Sequence, residues 1–129
     1  MYATRSALAY QRIEVESADP RRLVVMLFDA AVRFLHQAQE AMARRDYEKQ
    51  CEAIVRVQNI LSELTCALDP NAGAIAGPLG ALYSCMYSQL VEANVRDDLE
   101  LLREITGQME LVRDAWAEAE RQEIRRSGD

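Results

Sequence analysis

Apolar residues in this chain recur every three or four positions in four separate blocks, and that spacing admits few folds. A period near 3.6 puts them on one face of an α-helix, whereas a half-buried strand needs strict alternation. The first block opens at Asp19-Pro20. Asp19 can satisfy the orphan N–H groups of a first turn, and Pro20 suits the first helical position, where its missing N–H costs nothing. Two adjacent stripes follow. One is Leu23, Leu27, Ala30, Phe34 and Ala41; the other is Val24, Phe28, Ala31, Leu35, Ala38 and Met42. Together they form a face wider than a coiled-coil seam, with more apolar surface than one neighbour covers.

Arg44-Arg45-Asp46 interrupts the pattern. Basic residues suit a helix C-terminus, and Asp46 can cap the next helix. The second block carries Tyr47, Cys51, Ile54, Leu61 and Leu68, flanked by Val57, Ile60, Leu64 and Ala67, and ends in the turn signal Leu68-Asp69-Pro70-Asn71. A small-residue loop then leads to Pro78. Proline in a helix interior costs about 3 kcal/mol, so the third helix is expected to begin near Gly77 or Pro78. Its face is Leu79, Leu82, Tyr83, Met86, Leu90 and Ala93. Asn94 to Asp97 reads as a short turn, with Asp97 and Asp98 as cap candidates. The fourth block has the cleanest heptad, Leu102, Ile105, Met109, Val112, Trp116 and Ala119, despite Gly107, which costs about 1 kcal/mol relative to Ala.

Short connections favour antiparallel neighbours, so the expected fold is all-α, an antiparallel up-down four-helix bundle. Residues 1–18 hold Tyr2, Tyr10, Ile13 and Val15 without a helical stripe and are expected to form an N-terminal arm. The bundle is expected over 19–124 and a charged tail over 125–129, with the stretch from Arg121 fraying.

Composition narrows the function classes. Half of the 129 residues are apolar, with only 5 Gly and 3 Pro, which supports a single helical domain with its own core. Fifteen basic against 21 acidic residues give a net charge of −6, which disfavours nucleic acid as a partner. The N-terminus lacks the apolar run of a secretory signal. The most apolar stretch, Leu23 to Leu35, contains Asp29 and Arg33 and falls short of the roughly 20 residues of a membrane span. A cytoplasmic location without membrane insertion is therefore expected.

Cys51, Cys66 and Cys85 form no CxxC pair, so neither a zinc ribbon nor a redox pair is suggested. His36 is the only histidine, which excludes the paired Glu-x-x-His sites of di-iron bundles. No Gly-rich phosphate loop and no Ser/His/Asp set occurs. The chain is thus expected to be no enzyme, with no catalytic residue, no metal and no cofactor. Three readings remain on the residues alone: a bundle with an adaptable methionine-containing groove for a partner, a phosphotransfer bundle using His36, and a self-associating bundle whose spare stripe is a dimer interface.

One set of residues resembles a known family. Tyr10, then Pro20-x-x-Leu23-Val24-x-Met26-Leu27-Phe28-Asp29, is similar to the opening of the flagellar secretion chaperone family FliS. Ile60 to Leu64, Leu68-Asp69, Gly73, Leu79, Leu82-Tyr83, Leu90, Ala93-Asn94, Asp97 and Ala115-Trp116 keep that family's order and spacing. Departures are Ala30 after the Asp, Ala72-Gly73 in the middle loop, Pro78 and Cys85. The resemblance implies a small antiparallel bundle that binds the disordered C-terminal segment of newly made flagellin. It implies that this binding prevents premature polymerisation and helps deliver flagellin to the gate of the flagellar type III export apparatus. It also implies that the arm covers part of the empty binding surface.

On that reading part of the flagellin groove is expected on the second and third helices, at Ile54, Val57, Leu61, Leu64, Leu79, Tyr83, Met86 and Leu90. Tyr10 and Ile13 are expected to cover it in the empty protein, which is also a candidate homodimer. A helix would bind by laying its apolar stripe in the groove.

Overall fold

A computed structural model describes residues 20–68 and 74–128. Among these lie four helices and no strand: α1 Pro20–Ala43, α2 Tyr47–Cys66, α3 Ala76–Arg96 and α4 Leu99–Gly128. Each packs on its neighbour in chain order, and α4 returns to α1 to close the bundle. Pairs such as Arg21 with Glu123 and His36 with Glu110 show that α1 and α4 run antiparallel. Asp19, Tyr10 and Ile13 lie outside the described residues.

The turns are built from hydrogen bonds that local sequence supplies. After α1, Arg45 adopts a left-handed conformation (φ 60°), the Asp46 N–H donates to the Ala41 carbonyl, and the Arg45 N–H to the Met42 carbonyl. This is a Schellman closure. Asp46 Oδ1 then accepts from the Lys49 N–H and caps α2. The same device follows α3. Asp97 is left-handed (φ 52°), the Asp98 N–H donates to the Ala93 carbonyl, and Asp98 Oδ1 accepts from the Leu101 N–H to cap α4. Of the two cap candidates, Asp98 therefore caps and Asp97 makes the turn.

The core draws on every helix, with Phe28, Leu35, Ile60, Leu90, Leu102 and Ile105 fully buried. The wide face of α1 is accounted for inside the molecule, because α1 packs closely against both α2 and α4.

Two boundaries depart from expectation, and a third, the start of α3, falls one residue before the expected Gly77. Helix α3 starts at Ala76, so Pro78 stands third, in the turn whose N–H groups have no intrahelical partner anyway. It also runs on to Arg96 through the residues expected as a turn. Helix α4 continues through the charged stretch to Gly128. Glu120 and Glu123 meet Arg22 and Arg21 of α1, and Arg121 pairs with Glu118 three residues earlier, so these charges have partners along the helix and across the seam. Tyr47 and Cys51 of α2, and Ala67 just after it, are exposed rather than part of the packed stripe. No described helix is long and apolar enough to cross a membrane.

Candidate partner-binding surface

The expected groove residues fall mostly under the surface. Ile54, Val57, Leu61, Leu64, Tyr83, Met86 and Leu90 are buried in the bundle core, and Leu79 is half-buried against it. The structure does bring them together, in one core cluster that also takes in α1 and α4. Tyr83 sits centrally. Its ring lies 6.2 Å from that of Phe28 on α1, and its hydroxyl is hydrogen-bonded by Trp116 of α4. Burial pushes the Tyr83 phenol up from its ordinary value, against the opposing effect of the Trp116 hydrogen bond.

Above this floor an open cleft of about 400 Å³ separates α2 from α3. Leu61 and Tyr83 form part of its lining, and Ser62, Thr65, Cys66, Ser84, Tyr87 and Ser88 supply the rest. None of these side chains is a carboxylate, ammonium or guanidinium. Helix α3 has no charged residue from Ala76 through Val91. Along its outer side Tyr87, Val91 and Val95 are 41%, 45% and 77% exposed and stand four residues apart, which makes one apolar stripe.

The far end of the same seam is closed by polar groups. Gln50 is 1% exposed, and its Nε2 donates to Asn94 Oδ1 (3.0 Å) and Asp97 Oδ1 (2.9 Å). Asn94 Nδ2 lies 3.7 Å from Cys51 Sγ. Gln50 Oε1 is buried without a hydrogen-bond partner. The sequence carried a sign of this residue, since Gln50 heads the run Gln50, Ile54, Val57, Leu61, Leu64 at helical spacing. A polar residue leading a core stripe marks a buried hydrogen bond. The uncharged run in α3 is equally legible once charge is read along one helix rather than over the chain.

Two other seams differ. Across α1–α4 run Arg21–Glu123 (3.3 Å), Arg22–Glu120 (3.5 Å), Asp29–Arg113 (3.8 Å) and His36–Glu110 (4.0 Å), with Gln39 Nε2 donating to Thr106 Oγ1 at 2.7 Å. His36 is thus exposed, with Glu110 of α4 beside it. Between α1 and α2 a smaller furrow is lined by Glu40, Arg44, Lys49, Glu52 and Arg56, with Arg56 held 5.3 Å over the Phe34 ring. No group of three or more potential metal ligands clusters among the described residues.

The chain's relatives agree in kind. A family model described as flagellar protein FliS matches residues 2–123. The flagellar secretion chaperone FliS of Bacillus subtilis is 36% identical over 111 residues, covering 86% of this chain and 83% of that protein. FliSB of Pseudomonas aeruginosa is 34% identical over 121 residues, covering 90% and 96%. FliS of Salmonella typhimurium is 34% identical over 122 residues, covering 90% of each. The match over nearly the whole chain, on a four-helix bundle, means that the chain belongs to the FliS family, whose members are flagellar secretion chaperones and not enzymes.

Proposed function

We propose that this protein is a cytoplasmic flagellar export chaperone for flagellin. It binds the disordered C-terminal segment, keeps it from polymerising, and delivers it to the flagellar type III export apparatus, with the segment seated as a helix along the α2–α3 seam. The observation that carries this reading is the uncharged cleft and the adjoining Tyr87–Val91–Val95 stripe on a protein that is 28% charged. A disordered chain loses several kcal/mol of entropy on ordering, so its binding site must offer apolar surface rather than solvated charge. The buried residues Leu61 and Tyr83 form the floor, and Ile54, Val57, Leu64, Met86 and Leu90 support it from below. Tyr10 and Ile13 cover the seam when flagellin is absent.

The test is a titration with a fluorescent flagellin C-terminal peptide. Val91→Asp and Tyr87→Asp should each weaken binding at least tenfold, about 1.4 kcal/mol, with the melting temperature unchanged. Arg44→Glu, in the furrow between α1 and α2, should change nothing. Raising the salt should cost less than tenfold, since screening acts on exposed charges. Equal affinity in all variants would overturn the placement, and a tenfold loss with salt would overturn the apolar mechanism.

A further inference from the structure

The furrow between α1 and α2 shares no residue with the cleft. Its floor is Ala41 and Ala53, both small and buried, and the charged side chains around them are exposed. The short turn Arg44–Asp46 makes α1 and α2 an antiparallel hairpin, which orders the charges along the furrow. Arg44 and Lys49 share the turn end, Glu40 and Glu52 come next, and Arg56 stands at the far end beside Gln37. The order is plus, minus, plus. Lys49 and Arg56 are separated by two helical turns, about 10 Å.

Elsewhere in the bundle arginines mostly meet carboxylates. Arg21, Arg22 and Arg113 do so across α1–α4, and Arg96 and Arg121 within their own helices. In the furrow Lys49 and Arg56 make no ion pair among the described residues, and Arg44 reaches only Glu40, at 4.0 Å. Arg56 is nevertheless held in place, its guanidinium 5.3 Å over the Phe34 ring. A stacked guanidinium keeps its N–H donors in one plane, the geometry that grips a carboxylate through two hydrogen bonds.

We propose that this furrow docks a helix of a second protein that carries acidic residues seven apart with a basic residue between them. Charge complementarity selects this occupant. Its outer carboxylates meet Arg56 at one end and Arg44 and Lys49 at the other, and its inner base meets Glu40 and Glu52. A nucleic acid fits worse, because its unbroken row of phosphates would face both glutamates on a chain of net charge −6. Contacts of this kind add little affinity, but they steer encounter and select the partner. The docking is therefore weak, fast and salt-sensitive. It leaves the α2–α3 cleft open and does not depend on the flagellin reading.

A chemical-shift titration of the isotope-labelled full chain at low salt tests this. The probe is an alanine-based helical peptide with two Glu seven residues apart and Lys midway; the control has Glu and Lys exchanged. The probe should shift the amides of Gln37–Arg44 and Lys49–Arg56 saturably and bind at least tenfold tighter than the control. Lys49→Glu and Arg56→Glu should each cost at least tenfold with the melting temperature unchanged. A glutamate suits the first turn of α2, so Lys49→Glu keeps the test open even if Arg56→Glu loosens Phe34. The two changes together should reverse the preference, so that the control binds better. Val91→Asp, on the cleft side, should change nothing. Equal binding of the two peptides, or shifts centred on Ser84–Val95, overturns the proposal. Three further results overturn it by giving the furrow another occupant. A single-stranded oligonucleotide that binds there more tightly than the probe assigns it to nucleic acid. Furrow amides that shift when the chain alone is concentrated assign it to a second copy. A Glu14→Lys/Glu16→Lys variant that binds the probe tenfold better assigns it to the chain's own N-terminal segment.

Discussion

The α1–α4 and α2–α3 seams solve the same packing problem with opposite surfaces. Both bury leucine, isoleucine, phenylalanine or tyrosine inside. At the rim α1–α4 is laced by three ion pairs and the His36–Glu110 contact, while α2–α3 opens into a cleft of hydroxyls, a thiol and an aromatic ring. Exposed ion pairs add little stability, typically below about 1 kcal/mol each. Their larger effect is to exclude alternatives, because an apolar helix laid over them would desolvate charge without repayment. The neutral rim carries no such penalty. The contrast is what favours the proposed α2–α3 site over the α1–α4 side.

The comparison can be broken most severely at its polar anchor. Gln50→Ala removes the donor that Asn94 and Asp97 share and should cost about 1–3 kcal/mol in urea denaturation. A loss below a few tenths of a kcal/mol would mean that α3 is not fastened there. The ion pairs should respond less. Arg22→Ala leaves Glu120, the least exposed carboxylate of the seam, unpaired, and should cost about 1 kcal/mol or less at low salt and less again at high salt. A salt-independent cost would show that side-chain packing rather than charge closes α1–α4. The finest adjustment is in alkali. The folded phenol of Tyr83 titrates above the ordinary value of 10.0. Above that pH the unfolded chain ionises first, so stability is complete below about pH 10 and falls as pH rises beyond it. Tyr83→Phe should flatten that decline, measured as melting temperature between neutral and alkaline buffers.

Much of this was legible before any fold was known. Leu102, Ile105 and Met109 announce α4 by periodicity, and the structure buries all three. Asp46 announces its cap by residue type and position, while Asp97 and Asp98 look alike in sequence and only the left-handed turn at Asp97 leaves the cap to Asp98. The groove was harder to read. Periodicity finds a helix's apolar side, but it cannot separate residues that face the bundle axis from those at its rim, since both recur every three or four positions. Leu61 and Tyr83 were therefore named where Ser62, Ser84 and Tyr87 form the open walls. The reach of α4 to Gly128 was missed for a related reason. Arg121 and Glu123 read locally as a solvated tail, and their partners become visible only when Glu118 is taken with its own helix and Arg21 is brought alongside.

That last pairing has a consequence for how the molecule assembles. Arg21 and Glu123 stand near opposite ends of the sequence, so the α1–α4 contact closes the longest loop in the bundle, whereas α1–α2 and α3–α4 close across a few residues. Loop-closure entropy makes the two hairpins early and their union late. A circular permutant joining the end of α4 to the start of α1, and opened between α2 and α3, would turn the slowest contact into a local one. Its folding rate should rise, while the chain would gain two new ends beside the cleft.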